Sequence, residues 1–299
     1  MLPFEIIRQT PIDKGWSGDR KYCITASDGH TYLLRTAPIR QLEQKKAEFF
    51  WMQQVELTGI PMCRALHLEE TETEVHCIHS WIDGRDAEQI IPTLPEKEQY
   101  NYGCQAGQYL RKIHSLPAPG WVPEWEMRFN QKIDRKIRMY QECRLQYEGG
   151  QAFIDYLNSH RHLLKSRPLT FQHGDFHIGN MMMDAHGKLV IIDFNRFDFG
   201  DPWEEFNRIV WCGQKAPPFA AGMVDGYFDG NVPREFWELL ALYISSNALS
   251  SLPWAIPFGE EEIAVMQKQG QDILNWYDCM NTTIPIWYRK YAIKNQTAL

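Results

Sequence analysis

Hydrophobic and polar positions alternate in several segments of the first 82 residues. Segments 21–26 (KYCITA) and 31–37 (TYLLRTA) are rich in β-branched and aromatic residues, which favour strands. The dipeptide Asp28-Gly29 between them is a typical hairpin turn. Segment 74–82 alternates in the same way and ends at Asp83-Gly84. The pattern predicts one hairpin and a further strand.

The alternation is lost between residues 39 and 57. Good helix formers predominate in this segment, and it stops at Gly59 and Pro61. These residue types commonly end helices. We therefore predict one helix among the strands of the first 82 residues.

The pattern changes after Gly84, where most segments are typical of helices. Segment 96–116 is the clearest amphipathic run. The exception is 181–194, where two short apolar segments flank the turn Asp-Ala-His-Gly-Lys and predict a β-hairpin. We expect an α+β protein with a boundary near residue 83, so that residues 1–82 and 83–299 form two domains.

The most apolar later segment is FWELLALYISS at 236–246. It contains Glu238 and is too short to cross a bilayer, which indicates a buried core helix. Near the start, Glu5 and Arg8 interrupt the apolar residues, so no secretory signal is predicted. We expect a protein without a membrane segment.

Composition narrows the functional classes. The chain has 299 residues, 44% of them hydrophobic, a net charge of -7 and a pI near 5.8. An acidic protein of this kind is not typical of nucleic-acid binding. The seven cysteines include no CxxC pair and indicate reduced thiols, which favours a cytoplasmic location.

The candidate chemistry is concentrated in residues 172–193. Within QHGDFHIGN, Asp175 and Asn180 are five residues apart, and Asp193 follows the second strand of the predicted hairpin. Phosphoryl transfer needs a group that accepts the proton of the acceptor hydroxyl, together with oxygen ligands for Mg²⁺. Because the hairpin would fold Asp193 back toward Asn180, this spacing predicts a phosphotransferase site.

Three motifs resemble the aminoglycoside phosphotransferase and choline kinase group, whose fold is similar to that of protein kinases. They are HGDFHIGN at 173–180, IIDF at 191–194 and GDPWEEF at 200–206. The resemblance implies a small antiparallel β lobe with one helix, a larger mainly helical lobe, and an active site between them. The first 82 residues would bind the nucleotide.

The resemblance also implies roles for individual residues. Asp175 would be the catalytic base, and Asn180 and Asp193 would be the Mg²⁺ ligands. His173 would hold the loop in place, and Gly200-Asp201-Pro202 would shape a structural turn.

Residues of the first lobe match further positions of that group. Arg35 would contact the nucleotide phosphates and pair with Glu48, although arginine replaces the more familiar lysine. Ser17, in GWSG at 15–18, would reach a phosphate. The hinge at 80–82 would hydrogen-bond the nucleotide base through the backbone of Ser80 and Ile82.

The implied activity is transfer of the γ-phosphoryl group of ATP or GTP to a hydroxyl of an aminoglycoside-like or other amino-bearing alcohol. Acidic residues downstream of the catalytic loop predict a negatively charged cleft for a cationic acceptor. They are Asp198, Glu204, Glu205 and the run at 260–262. Trp203, Trp211 and Trp254 could add aromatic faces for a quaternary amine.

Two alternatives remain open from the residues alone. His173, Asp175 and His177 alternate as the metal ligands of a hydrolase on a strand might, although histidines at these positions more commonly fix a loop through backbone hydrogen bonds. The chain could also be a non-catalytic nucleotide-binding member of the same fold. Protein-kinase activity is disfavoured, because only residues 195–200 separate the IIDF motif from Asp201 and leave no room for a long activation segment.

Overall fold

The computed structural model describes residues 4–13 and 18–296, with side chains up to residue 291. The chain forms two compact units. The first contains the described residues up to Ile90 together with Asn180–Phe197. The second contains Ile91–Gly179 and the residues from Asp198 onward.

Most strands belong to the first unit and most helices to the second. The strands are β1 (Ile6–Ile12), β2 (Arg20–Ala26), β3 (Thr31–Pro38), β4 (Ala65–Glu70), β5 (Glu74–Ser80), β6 (Gly84–Asp86), β7 (Thr170–Gln172), β8 (Met181–Asp184), β9 (Leu189–Ile191) and β10 (Asp198–Gly200). The helices are α1 (Leu42–Glu56), α2 (Ala87–Ile90), α3 (Glu96–Ile113), α4 (Trp125–Glu142), α5 (Gln151–His160), α6 (Ile209–Lys215), α7 (Pro217–Phe228), α8 (Arg234–Ala255), α9 (Glu260–Trp276) and α10 (Ile286–Gln296).

The first unit is built on a five-stranded antiparallel sheet in the order β1-β2-β3-β5-β4. The β2–β3 hairpin forms as predicted, with a left-handed turn at Gly29 (φ +82°) and the Asp28 carboxylate accepting the His30 N–H at 2.8 Å. Ile24, Leu34 and Ile78 form a buried apolar cluster on three neighbouring strands. Burial of these side chains holds the sheet together.

Helix α1 packs against β4 and β5. Its buried residues include Met52 and Val55, and the chain leaves the helix through Gly59 (φ +73°). This helix was predicted at 39–57. Strands β1 and β4 were not predicted, because β1 (IIRQTPI) is exposed through most of its length and so lacks an apolar face.

A second sheet of the first unit has the order β6-β8-β9. The β8–β9 pair confirms the predicted hairpin at 181–194. The Cys63 N–H donates to the Ile191 carbonyl at 2.9 Å, which connects β9 to the segment before β4. The first compact unit therefore extends to residue 90 and includes this hairpin, whereas the sequence placed a boundary at 82 and the hairpin in the second domain.

The second unit is mainly helical, with a short β7–β10 pair. Helices α3 and α7 approach closely because glycines face backbone: a Cβ at Gly107 would overlap with the Met223 carbonyl, and one at Gly222 with the Tyr100 carbonyl. Helix α8 packs against α4 and α5. The two units together give the α+β class, as predicted.

Helix α8 extends well beyond the apolar segment noted at 236–246. By length and hydropathy Arg234–Phe258 could cross a membrane, but 67% of its apolar window is buried inside the protein. This burial is typical of a core helix, which is the interpretation the sequence favoured.

Candidate active site

The loop at 173–180 is fixed by its own histidines. His173 is fully buried, and its Nδ1 accepts the Asp175 N–H at 3.3 Å. The His177 Nδ1 accepts the Gly179 N–H at 3.1 Å. Both histidines therefore make the backbone hydrogen bonds expected of residues that hold a loop.

Glu205 supports this loop from the segment before α6. Its carboxylate accepts the Gly174 N–H at 2.9 Å and the Phe176 N–H at 3.3 Å, and the His114 Nε2 lies 3.7 Å away. Glu205 is 2% exposed, so it does not form part of an open negatively charged wall. It positions the loop that carries Asp175.

The turn at 200–202 is structural, as the resemblance implied. The Asp201 side chain is fully buried and accepts Nε and Nη2 of Arg167 at 2.7 and 3.0 Å. The Tyr243 hydroxyl and the Trp203 N–H also donate to this carboxylate. These bonds fix the entry to the segment that contains Glu205.

Asp175 lies beside two basic side chains of the second unit. Its Oδ1 is 3.2 Å from the Arg208 Nε and 3.7 Å from the His177 Nε2. The Asp175 side chain is 18% exposed. The Asp175 carboxylate is therefore next to a cation and partly accessible from solvent.

The described part of the chain offers no metal-binding geometry for the hydrolase alternative. Among the described residues, no group of three or more His, Cys, Asp or Glu side chains could hold a metal ion. The imidazole Nδ1 atoms of His173 and His177 accept backbone N–H groups and so cannot be metal ligands while they do so.

The β8–β9 hairpin brings Asn180 and Asp193 together within the first unit. Met181 pairs with Ile191, and the next bond outward joins the Ile192 N–H to the Asn180 carbonyl at 3.1 Å. Asp193 then adopts a left-handed backbone conformation (φ +67°), which aspartate tolerates better than most residues. An amide and a carboxylate at one end of a hairpin are a suitable donor set for Mg²⁺.

A cluster of charged side chains adjoins Asp193. The Arg35 cluster is defined as Asp19, Arg35, Lys45, Glu48 and Asp193. Arg35 Nη1 donates to Asp193 Oδ1 at 2.8 Å, and Arg35 Nε donates to Asp19 Oδ2 at 2.9 Å. Lys45 Nζ donates to Asp19 at 2.7 Å and to Glu48 at 2.8 Å.

Glu48 has two cationic neighbours, one of which is the Arg35 that the resemblance implied. Arg35 Nη1 is 4.0 Å from Glu48 Oε1, whereas Lys45 is in direct hydrogen-bond contact with Glu48. Lys45 precedes Glu48 by three residues on α1, so the two side chains lie on one face of the helix. The cation closest to Glu48 therefore comes from its own helix.

Both cations of this cluster remain charged. Burial acts to lower the pKa of Arg35, but Asp193, Glu48 and Asp19 raise it overall. Burial also opposes the charge of Lys45, and Glu48 and Asp19 raise its pKa. Two buried cations are therefore each held by carboxylates of this cluster.

The remaining predicted nucleotide contacts are at the end of β5. The Ser80 N–H donates to the Arg64 carbonyl at 3.0 Å, and the Arg64 N–H donates to Ser80 Oγ at 2.8 Å. These bonds fix the start of the hinge segment that ends at Ile82. The predicted phosphate contact at Ser17 lies outside the described residues.

The acidic residues predicted to attract a cation are paired inside the second unit or lie at a helix end. Asp198 contacts Arg128 at 3.0 Å and Glu204 contacts Lys132 at 2.9 Å. The run at 260–262 forms the first turn of α9, where negative charge stabilises the helix dipole. No continuous negative wall follows from these carboxylates.

The three tryptophans proposed for an aromatic cage have different surroundings. Trp203 is partly buried and packs against Phe228 and Phe236. Trp254 contacts Phe258. Trp211 lies beside the loop at 173–180, with its ring centroid 6.1 Å from that of His177.

The sequence matches a family model described as the phosphotransferase enzyme family (APH) over residues 8–238. The chain belongs to this family. No curated protein sequence matches it significantly.

Solved structures of the phosphotransferase enzyme family and similar kinases share the fold at low identity. A thermostable mutant of aminoglycoside phosphotransferase APH(4)-Ia, in a ternary complex with ADP and hygromycin B, is 18% identical with a TM-score of 0.63, covering 90% of this chain and 94% of that chain. Amicoumacin kinase hAmiN, in complex with AMP-PNP, Ca²⁺ and Ami, is 13% identical with a TM-score of 0.64, covering 96% and 94%. A choline/ethanolamine kinase family protein from Mesorhizobium loti is 15% identical with a TM-score of 0.63, covering 91% and 90%.

Three charged residues near these family motifs were not predicted from the sequence. Asp19 follows the glycine-rich segment directly, and Lys45 lies three residues before Glu48. Arg208 follows Glu204 by four residues and reaches Asp175. Helical spacing could have indicated Lys45, but only the fold shows which residues Asp19 and Arg208 contact.

Proposed function

We propose that the protein is a small-molecule kinase that transfers the γ-phosphoryl group of ATP or GTP to a hydroxyl group. One arrangement carries this proposal. Asn180 and Asp193 lie together at one end of the β8–β9 hairpin, and Arg35 donates a hydrogen bond to the Asp193 carboxylate. Family membership supports the same reaction class.

The first unit supplies the proposed phosphate and metal ligands. The oxygens of Asn180 and Asp193 would hold Mg²⁺, which when bound neutralises charge on the nucleotide phosphates. Arg35 would contact a phosphate. Lys45 would remain paired with Glu48 and balance its charge while Arg35 makes that contact. The backbone of Ser80 and Ile82 would hold the base.

The second unit supplies Asp175. A carboxylate that is accessible to solvent and close to a cation can orient the acceptor hydroxyl and accept its proton as the new bond to phosphorus forms. His173 and Glu205 hold the backbone of the loop that carries Asp175, which would limit the positions open to its carboxylate. Such positioning is the main requirement of phosphoryl transfer.

The acceptor class is the finer part of the proposal. APH(4)-Ia has been crystallised with hygromycin B and hAmiN with Ami. By analogy we propose a hydroxyl acceptor that carries an amino group. A panel of aminoglycosides, amino alcohols and neutral sugars, read by nucleotide consumption and product mass, tests this assignment, and a neutral best acceptor would contradict it.

The variant Asp175→Asn tests the reaction itself. The amide has the same shape but cannot accept a proton, so we expect turnover to fall by about 10²-fold or more while nucleotide affinity is retained. The measurements are steady-state kinetics and calorimetric titration with AMP-PNP and Mg²⁺. A near-native rate would remove Asp175 from the mechanism, and a wild-type protein that binds nucleotide but phosphorylates nothing would favour the non-catalytic alternative.

A further inference from the structure

A second group of charged side chains lies next to Asp175 in the second unit. Lys132 and Lys136 are one turn apart on α4, and Glu204 and Arg208 are four residues apart in the short helix before α6. Lys132 Nζ contacts Glu204 Oε1 at 2.9 Å. These four residues are called the Lys136 cluster.

Lys136 is the unusual member of the cluster. It is 9% exposed, and among the described residues it has no hydrogen bond or salt bridge. Burial lowers its pKa well below the ordinary value, and the positive charge of Lys132 lowers it further. A buried amine without an anionic partner destabilises a folded protein, so its presence needs a reason.

Among the described residues, Lys136 is the basic member of the cluster without a carboxylate in hydrogen-bond contact. Lys132 is bound to Glu204, and Arg208 Nε lies 3.2 Å from Asp175 Oδ1. Glu204 favours the charged form of Lys136, whereas the charges of Lys132 and Arg208 oppose it. An oxyanion bound beside these three basic side chains would provide Lys136 with a partner and favour its charged form.

The position of the cluster connects it with the proposed reaction. Arg208 contacts Asp175 Oδ1 at 3.2 Å and also acts electrostatically on Lys136. Both the Arg208 and Lys132 side chains are partly exposed, at 25% and 34%, so the cluster can be reached from solvent. An anion bound there would lie close to the carboxylate that is proposed to accept the hydroxyl proton.

We propose that the Lys136 cluster binds an oxyanion group, a carboxylate or a phosphate, carried by the acceptor. This inference rests on the proposed kinase function and makes the acceptor more specific: a hydroxyl compound with an acidic group, zwitterionic if it also carries the amino group. The transferred phosphoryl group is a second possible source of the same oxyanion chemistry, and binding and kinetic experiments separate the two.

The first experiment uses inorganic phosphate as the probe, in calorimetric titrations without metal ions. Lys136→Met removes the charge but keeps the length of the side chain, and Lys112→Met makes the same change at an exposed position of α3. We expect Lys136→Met to weaken phosphate binding about tenfold or more and Lys112→Met to leave it unchanged. Wild-type protein that binds no phosphate, or equal affinity in Lys136→Met, would overturn the proposal.

Thermal unfolding of the same variants separates binding from a purely structural role. If Lys136 serves only the fold, Lys136→Met lowers the melting temperature without changing phosphate affinity. If it serves binding, the variant melts at the same or a higher temperature, because an unpaired buried amine has been removed, while phosphate affinity falls. Arg208→Met, which removes a second cation, should also weaken phosphate binding.

The second experiment identifies the source of the oxyanion. Matched hydroxyl acceptors with and without a carboxylate or phosphate are compared in wild type and Lys136→Met, together with titration of AMP-PNP and Mg²⁺. We expect Lys136→Met to raise KM about tenfold for the acidic acceptors and for no others, and to leave the affinity for AMP-PNP unchanged. Reduced AMP-PNP affinity with equal effects on all acceptors would assign the cluster to the transferred phosphoryl group and overturn the acceptor assignment.

The two proposals fail in different ways. If wild-type protein consumes no nucleotide with any acceptor, the kinase proposal fails, yet the phosphate titration still decides whether the cluster binds an oxyanion. If wild type is an active kinase whose best acceptors carry no acidic group, the kinase proposal stands and the acceptor inference fails.

Discussion

At the scale of single residues, arginine at position 35 determines the ion pairs of the Arg35 cluster. The planar guanidinium donates to Asp19 and Asp193 at once, which a single ammonium group could not do with the same geometry. Glu48 is then satisfied by Lys45. The chain therefore uses two cations where the family pattern implied one.

This arrangement predicts the effect of Arg35→Ala. We expect affinity for AMP-PNP with Mg²⁺ to fall about tenfold or more, because a charge-assisted phosphate contact is lost and Asp193 loses the partner that orients it. Arg40→Ala, at an exposed arginine of the same unit, is the matched control. Circular dichroism would verify folding, and equal affinity in a folded Arg35→Ala protein would count against the assignment.

His79 on β5 predicts a pH dependence of stability. It is 3% exposed, and both its ring nitrogens lack hydrogen-bond partners within the described part of the chain. Burial, with a smaller effect of Arg35 and Lys45, lowers its pKa from 6.5 to about 3. At a pH between these two pKa values, His79 is protonated in the unfolded chain but not in the folded protein. The free energy of unfolding therefore decreases as the pH falls below about 6.5.

The variant His79→Phe should remove this dependence. We expect the loss of unfolding free energy between about pH 7.5 and pH 5 to be smaller by about 2 kcal/mol than in wild type. Urea unfolding at several pH values measures this difference. His186→Phe, at an exposed turn of the hairpin, should keep the wild-type pH dependence, and an unchanged profile in His79→Phe would show that His79 is not the group responsible.

At the scale of elements, the α3–α7 contact depends on glycine. A Cβ at Gly107 would overlap with the Met223 carbonyl, which belongs to the backbone of α7 and cannot move independently of that helix. Backbone contact of this kind explains why both helices carry glycines at interior positions, where glycine itself weakens a helix. The lost helix propensity is offset by close packing.

Gly107→Ala is therefore expected to destabilise the protein, although alanine is the better helix former. Separation of the two helices should cost about 2–3 kcal/mol of unfolding free energy. Gly120→Ala is the control, because a Cβ there has no atom within 4 Å and its backbone is not left-handed. Chemical denaturation of both variants gives the comparison, and a Gly107→Ala protein as stable as wild type would mean that the helices separate without cost.

At the scale of the whole molecule, the sequence predicted the elements whose patterns are locally complete. The β2–β3 hairpin, α1, β5 and the β8–β9 hairpin all carry turn or stop residues beside an apolar pattern. Strand β1 was missed because its exposed side chains show no alternation. The grouping of the hairpin with the first unit depends on contacts distant in sequence, such as Cys63 with Ile191, which no local pattern contains.

In the candidate site, too, the sequence predicted local features but not contacts between residues distant in sequence. The spacing of Asp175, Asn180 and Asp193 was visible in the sequence, and the hairpin brings the last two together. Glu204 and Glu205, two of the carboxylates predicted to attract a cation, are occupied by internal partners, and the cationic acceptor stays a prediction. Net charge describes the whole molecule and does not determine the potential at one site.

Ligand-linked stability gives a last prediction for the intact protein. A ligand that binds only the folded state stabilises it by about 2.7 kcal/mol at a hundred times its dissociation constant. AMP-PNP should therefore raise the melting temperature, and the increase should require a divalent ion if Asn180 and Asp193 hold Mg²⁺ against the phosphates. We expect Asp193→Ala to lose most of the increase that depends on Mg²⁺, whereas Asp175→Asn should retain it because Asp175 is proposed to act on the acceptor and not on the nucleotide. Thermal unfolding with AMP-PNP, with and without Mg²⁺, makes the comparison, and an equal increase in Asp193→Ala would show that the metal is held elsewhere.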